Sequence, residues 1–175
     1  MNQERSIEVD RMRFTKNTQS SRMAILAIVF NVLYFISIYK SDVGNYYYTA
    51  LIGISIVYNL VFMLLTFLCS EGVKNYKRGF SWAMIALGIM QIVRIFIIPA
   101  KMHGTVIEKG AQTVLHILNY HIPATMDVAV MGLGQFILVV VLLILSALCL
   151  FRGAAVNFKK SRALADHIAN LNMQL

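Results

Sequence analysis

Residues 128–151 read VAVMGLGQFILVVVLLILSALCLF, twenty-four consecutive residues without a charge. At 1.5 Å per residue such a helix is about 36 Å long, enough to cross a hydrocarbon core of ~30 Å. The GLGQF at 132–136 is no phosphate loop. Working back along the chain, three more runs share this character. They are Met23 to Tyr39, Tyr46 to Cys69, and Phe80 to Ala100, and only the last contains a charge, Arg94. Four apolar runs of this length in 175 residues, 58% hydrophobic and 14% charged, exclude an ordinary soluble domain, which carries about 25% charged residues. The expected fold is an all-α integral membrane four-helix bundle over 23–151. It is flanked by a polar N-terminal segment, 1–22, and a tail, 152–175.

The segments between the runs set the expected topology. Residues 1–22 carry Arg5, Arg11, Arg13, Lys16 and Arg22; residues 70–79 carry Lys74, Lys77 and Arg78; the tail carries Arg152, Lys159, Lys160 and Arg162. The other side has only Lys40, Lys101 and Lys109. Twelve basic residues against three place both termini in the cytoplasm. Tyr46, Tyr47 and Tyr48 fit one membrane interface, and Trp82 and Tyr76 the other. A first run that ends in FISIYK, with no small-residue cleavage site after a shorter apolar core, reads as an uncleaved helix.

The net charge of +8 resides in these topology segments rather than in an aromatic-interleaved basic patch, so no nucleic-acid partner is expected. Cys69 and Cys149 fit neither a metal site nor a CxxC pair, and a disulfide is not expected at a reducing face. His103, His116 and His121 share the long external loop with Glu108 and Asp127, yet their spacing matches no zinc pattern. The middle of that loop, TVLHILNYHIP, is apolar enough for a short interfacial helix. Pro123 ends that stretch, and Asp127 suits the start of the fourth helix. No catalytic, cofactor-binding or metal-ligating set emerges, and an enzyme is not expected.

Polar residues inside the runs are the informative ones. Each helix carries one carboxamide: Asn31, Asn59, Gln91 and Gln135. Counted from the basic ends, the first three lie about 12–17 Å deep, and Gln135 and Arg94 about 21–24 Å. An amide in hydrocarbon needs a partner, so these side chains either bond one another across the bundle or line a polar path. Arg94 has no Asp or Glu inside any run. Its open readings are snorkelling outward, a carboxylate on another chain, or a bound anion. Gly88, the pair Thr49 and Gly53, and Gly132 with Gly134 offer places for close helix packing.

In the tail, Leu164, Ile168, Leu171 and Leu175 recur at helical spacing, with Lys159, Lys160, Arg162 and Asp166 elsewhere on the wheel. They predict an amphipathic cytoplasmic helix suited to docking. The function expected from these features is a non-catalytic, transport-associated subunit of a larger membrane complex. The alternative is a small homo-oligomeric channel or carrier using the mid-membrane polar layer. No external segment holds an N-x-Ser/Thr acceptor, which together with the compact chain points to a bacterial plasma membrane.

Overall fold

The computed structural model describes residues 7, 9–39, 46–97, 99–100, 106–111, 124–129 and 131–173. Four helices long and apolar enough to cross a membrane dominate it. They are α1 (Thr18–Tyr39), α2 (Tyr46–Lys74), α3 (Arg78–Ile97) and α4 (Leu133–Asn172). The chain is a multi-pass membrane protein. Each helix packs on its two neighbours in a ring, α1 on α2, α2 on α3, α3 on α4 and α4 on α1.

The side-chain distribution is what a bilayer solvent selects. Large apolar residues face outward along every helix, among them Val29, Ile36, Leu60, Leu64, Ile89, Phe96, Ile137 and Leu148. The interior is rich in small and polar residues. In water that arrangement would expose a broad apolar surface while desolvating amides and an arginine, both unfavourable. In lipid it satisfies both faces.

Heptad spacing organises that interior. The buried positions run Ala24, Ala27, Asn31, Tyr34, Ile38 on α1 and Ser55, Asn59, Phe62, Thr66, Cys69, Val73 on α2. On α3 they are Ser81, Met84, Leu87, Gly88, Gln91 and Arg94. On α4, Val139, Leu143, Ser146, Leu150, Ala154, Asn157 and Ser161 continue the pattern. The steps alternate strictly between three and four residues on α1 and α2, while α3 ends on two steps of three and α4 carries two successive steps of four from Ser146 to Ala154; each spacing keeps the buried residues on one side of its helix.

Glycine allows close approach at some expected places and not at others. A Cβ at Gly88 would lie 2.7 Å from the Phe151 ring, so α3 and α4 meet there over bare backbone. A Cβ at Gly153 would lie 3.2 Å from the Met23 Cβ and 3.3 Å from the Ser20 carbonyl oxygen. Gly53, Gly132 and Gly134 have open space instead among the described residues. Gly88→Leu is therefore expected to destabilise the bundle by about 1–2 kcal/mol through overpacking. Phe151→Ala should return part of that loss. Unfolding in mixed micelles measures both, and additive losses would refute the contact.

Helix ends differ from expectation in physically instructive ways. The second helix runs past Cys69 to Lys74, shortening the inner turn, which Tyr76 closes in the left-handed region at φ 57°. The third is described as helix over Arg78–Ile97, and residues 99–100 are helical too, in keeping with the expected end at Ala100. The fourth begins at Leu133 rather than Val128, after Gly132 in an extended conformation. Residues 124–129 instead form strand β2 (Ala124–Ala129), antiparallel to β1 (Val106–Ala111), with Asp127 opposite Glu108. Asp127 is thus no helix cap. Two glycines at 132 and 134 disfavour helix, and β-branched residues upstream accept the ribbon. The expected interfacial helix in TVLHILNYHIP, with Lys40, Lys101, His103, His116, His121, Pro123 and Leu175, lies outside the described residues. So do the side chains of Tyr46, Tyr47, Tyr48 and Thr49.

No break separates the fourth span from the tail. Helix α4 is continuous for 40 residues, about 60 Å, twice the hydrocarbon thickness. Its last 15 residues, those after Asn157, therefore extend past the bundle at the end where α1 and α3 begin and α2 finishes. That end carries most of the Lys and Arg and is called the basic end here.

Candidate functional site

Two polar layers cross the bundle. The lower one ties the helices together at the basic end. Asn17 precedes α1; its backbone N–H donates to the Lys74 carbonyl at 2.9 Å, joining the start of α1 to the end of α2. Its Nδ2 donates to Asn157 Oδ1 at 2.9 Å and to Ser20 Oγ at 3.0 Å. Asn157 Nδ2 in turn donates to Ser81 Oγ at 2.7 Å and to the Lys77 carbonyl at 3.2 Å. Ser21 and Ser70 share a 2.7 Å hydroxyl bond between α1 and α2. All four helices meet in this set.

The upper layer is built around Arg94. Its side chain is 3% exposed and turns into the bundle. Nη1 donates to Asn59 Oδ1 at 2.7 Å and, more weakly, to Asn31 Oδ1 at 3.4 Å. Nη2 donates to Ser55 Oγ at 2.6 Å. The guanidinium carbon lies 4.2 Å from the Tyr34 ring centre and 4.5 Å from that of Tyr58. Gln91, one helical turn back on α3, donates from Nε2 to Asn31 Oδ1 at 3.0 Å and Ser146 Oγ at 3.3 Å. Ser146 Oγ donates to the Ala27 carbonyl at 3.0 Å.

Energetics favour this inward placement over snorkelling. A central arginine costs roughly 2.5–3.5 kcal/mol to insert. A hydrogen bond to a charged group contributes about 1.5–3 kcal/mol, and a desolvated cation–π contact about 2. Two short bonds and two rings offset the insertion cost. An outward-turned Arg94 would leave the Asn59 oxygen facing hydrocarbon.

The structure brings together Asn31, Asn59, Gln91 and Arg94, and leaves Gln135 apart. Gln135 Nε2 donates to the Ser37 carbonyl at 2.7 Å, joining the start of α4 to the end of α1. Sequence reasoning by depth missed Ser55, Ser146 and the whole lower layer. Heptad phase was the signal that could have found them, since each lies on its helix's buried seam.

The charge of Arg94 has no carboxylate pairing with it among the described residues. Its Nε, with Asn31 Nδ2, Asn59 Nδ2 and the Gln91 Oε1 acceptor, finds no hydrogen-bond partner among them. The Tyr34 and Tyr58 hydroxyls beside them share this state, so the set holds donors and acceptors alike.

At the basic end, the proposed docking residues sit on the projecting stretch of α4. Leu164 and Leu171 are half-buried, Ile168 and Lys159 exposed, and Lys160 Nζ donates to Gln19 Oε1 at 3.2 Å. His167 Nε2 lies 3.5 Å from Asp10 Oδ1, so the segment before α1 packs on this stretch. Among the described residues no group of three or more His, Cys, Asp or Glu could hold a metal ion. The loop histidines considered for zinc lie outside them. No protein-family model, curated protein or solved structure matches this chain.

Proposed function

We propose that the chain is a non-catalytic subunit of a larger, transport-associated assembly in a plasma membrane, with its basic end in the cytoplasm. The carrying observation is the division of labour between bundle and α4. The intramembrane polar groups are largely engaged with one another across four helices, which makes a rigid body rather than a reactive site. Beyond Asn157 the last 15 residues of α4, about 22 Å of helix, extend past that layer, with Ile168 exposed and Met173 exposed just after the helix. The excess of Lys and Arg at this end supports the cytoplasmic assignment.

Extraction from native membranes into lipid nanodiscs, followed by mass measurement, tests the reading. A heteromeric particle is expected, with the partner lost on Ile168→Asp. A chain isolated alone in every mild extraction would refute it.

A second reading, a small carrier, is favoured by one observation: buried polar atoms around Arg94, its Nε and the amide nitrogens of Asn31 and Asn59 among them, have no hydrogen-bond partner among the described residues, as in a site that takes a small polar solute such as an anion. Anion flux into liposomes that is abolished by Arg94→Gln would replace the first reading with this one.

A further inference from the structure

The basic end holds a groove that neither polar layer uses. It has a volume of about 960 Å³ and opens between the first turns of α3, the projecting stretch of α4 and the segment before α1. Among the described residues, Arg78, Lys159, Lys160 and Arg162 line it, with Asp166 as the one carboxylate. Trp82 and Phe158 form its aromatic wall, ring centres 5.3 Å apart in an edge-to-face contact, and the Arg78 guanidinium carbon lies 5.8 Å above the Phe158 ring.

Location decides what could enter. Trp82 is 62% exposed and begins the outward apolar face of α3, which continues through Ile89 and Met90. An exposed tryptophan where an apolar helix face meets a basic segment belongs at headgroup depth. The groove therefore opens onto both lipid and water. Its four cations against one carboxylate complement a phosphate, and its aromatic wall borders the glycerol and upper acyl region.

We infer that this groove binds the headgroup of an anionic phospholipid from the adjoining leaflet. Phosphate oxygens sit among Lys159, Arg162 and Arg78, and the first acyl carbons lie against Trp82. Basic residues beside a membrane each strengthen anionic-lipid binding by roughly fivefold, so removing two costs roughly thirtyfold. A groove that gathers them on one wall concentrates that gain on single lipids.

Trp82 is the only tryptophan in the chain, which makes its fluorescence a reporter placed in the groove. The full-length protein is reconstituted in phosphatidylcholine vesicles containing a few per cent of lipid brominated on its acyl chains. The brominated lipid is either phosphatidylglycerol or phosphatidylcholine. Quenching by the anionic lipid is expected to exceed quenching by the zwitterionic one at least twofold. Lys159→Gln with Arg162→Gln should abolish the excess. Lys16→Gln with Arg22→Gln, which removes two exposed cations outside the groove, should preserve it. Circular dichroism of both double variants establishes that they fold.

Equal quenching by the two lipids would overturn the inference. So would an excess lost equally in both double variants, since that reports general surface charge. Abolition of the excess by millimolar inorganic phosphate would assign the groove to a soluble anion instead, and abolition by an acidic peptide alone would assign it to a protein segment.

Discussion

Asn59→Leu is expected to destabilise the bundle by about 2–4 kcal/mol, and adding Arg94→Met should restore most of that loss. Asn59 supplies the 2.7 Å oxygen to the guanidinium, and its own Nδ2 has no partner among the described residues. Leucine therefore leaves Nη1 of a buried cation with only the 3.4 Å bond to Asn31, while Ser55 and the two tyrosine rings remain. A fully stranded charge costs about 3–5 kcal/mol, so a partly stranded one costs less, whereas replacing the whole polar pair by apolar side chains is close to neutral. Arg94→Met alone should cost about 1–3 kcal/mol, because Asn59 Oδ1 and Ser55 Oγ lose their donor, a loss that the vanished insertion cost of the arginine offsets in part. The coupling energy in this double-mutant cycle should exceed about 2 kcal/mol. Reversible unfolding in bicelles provides the measurement. Additive effects would mean that Arg94 and Asn59 do not meet.

The second large effect belongs to the lower layer. Asn157→Leu removes three hydrogen bonds that join α4 to Asn17, Ser81 and the Lys77 carbonyl. Each contributes about 0.5–1.5 kcal/mol, and the carbonyl left bare adds to the loss, for a total of about 2–4 kcal/mol. The loss should be local. Hydrogen exchange at amides 18–21 and 78–81 is expected to accelerate strongly, with amides 89–94 little changed. Acceleration spread evenly over all four helices would show that the layer does not tie these particular ends.

The contrast between the two layers shows what the linear chain discloses. The four spans are legible because lipid imposes a length and a composition on each one separately, so Ile89 or Leu148 can be judged without knowing its neighbours. Depth counting on straight helices grouped Asn31, Asn59 and Gln91 because antiparallel neighbours share a common origin at the basic end. Arg94 joins them by reaching about one helical turn back along its own helix, a move that side-chain length permits and depth counting ignores. Ser55 and Ser146 are too common and too small to stand out by composition. Only their heptad phase marks them. The start of α4 was misplaced because hydropathy does not distinguish the β-ribbon residues Val128 and Ala129 from helix. The continuity of α4 past Phe151 was hidden for the opposite reason, since the change from apolar to basic residues marks a membrane boundary and not a helix end.

A bundle solvated by lipid with its arginine inside makes one direct demand on α3. Spin labels placed singly at residues 85–97 of a cysteine-free variant, in bilayers, should show oxygen accessibility that peaks at 89, 92, 93 and 96. Minima should fall at 88 and 91, with the water-soluble nickel reagent excluded throughout. The opposite phase, with 91 and 94 most accessible to oxygen, would put Arg94 toward lipid. Nickel access along that face would put it in water. Either result would contradict the buried layer on which the proposed bundle rests.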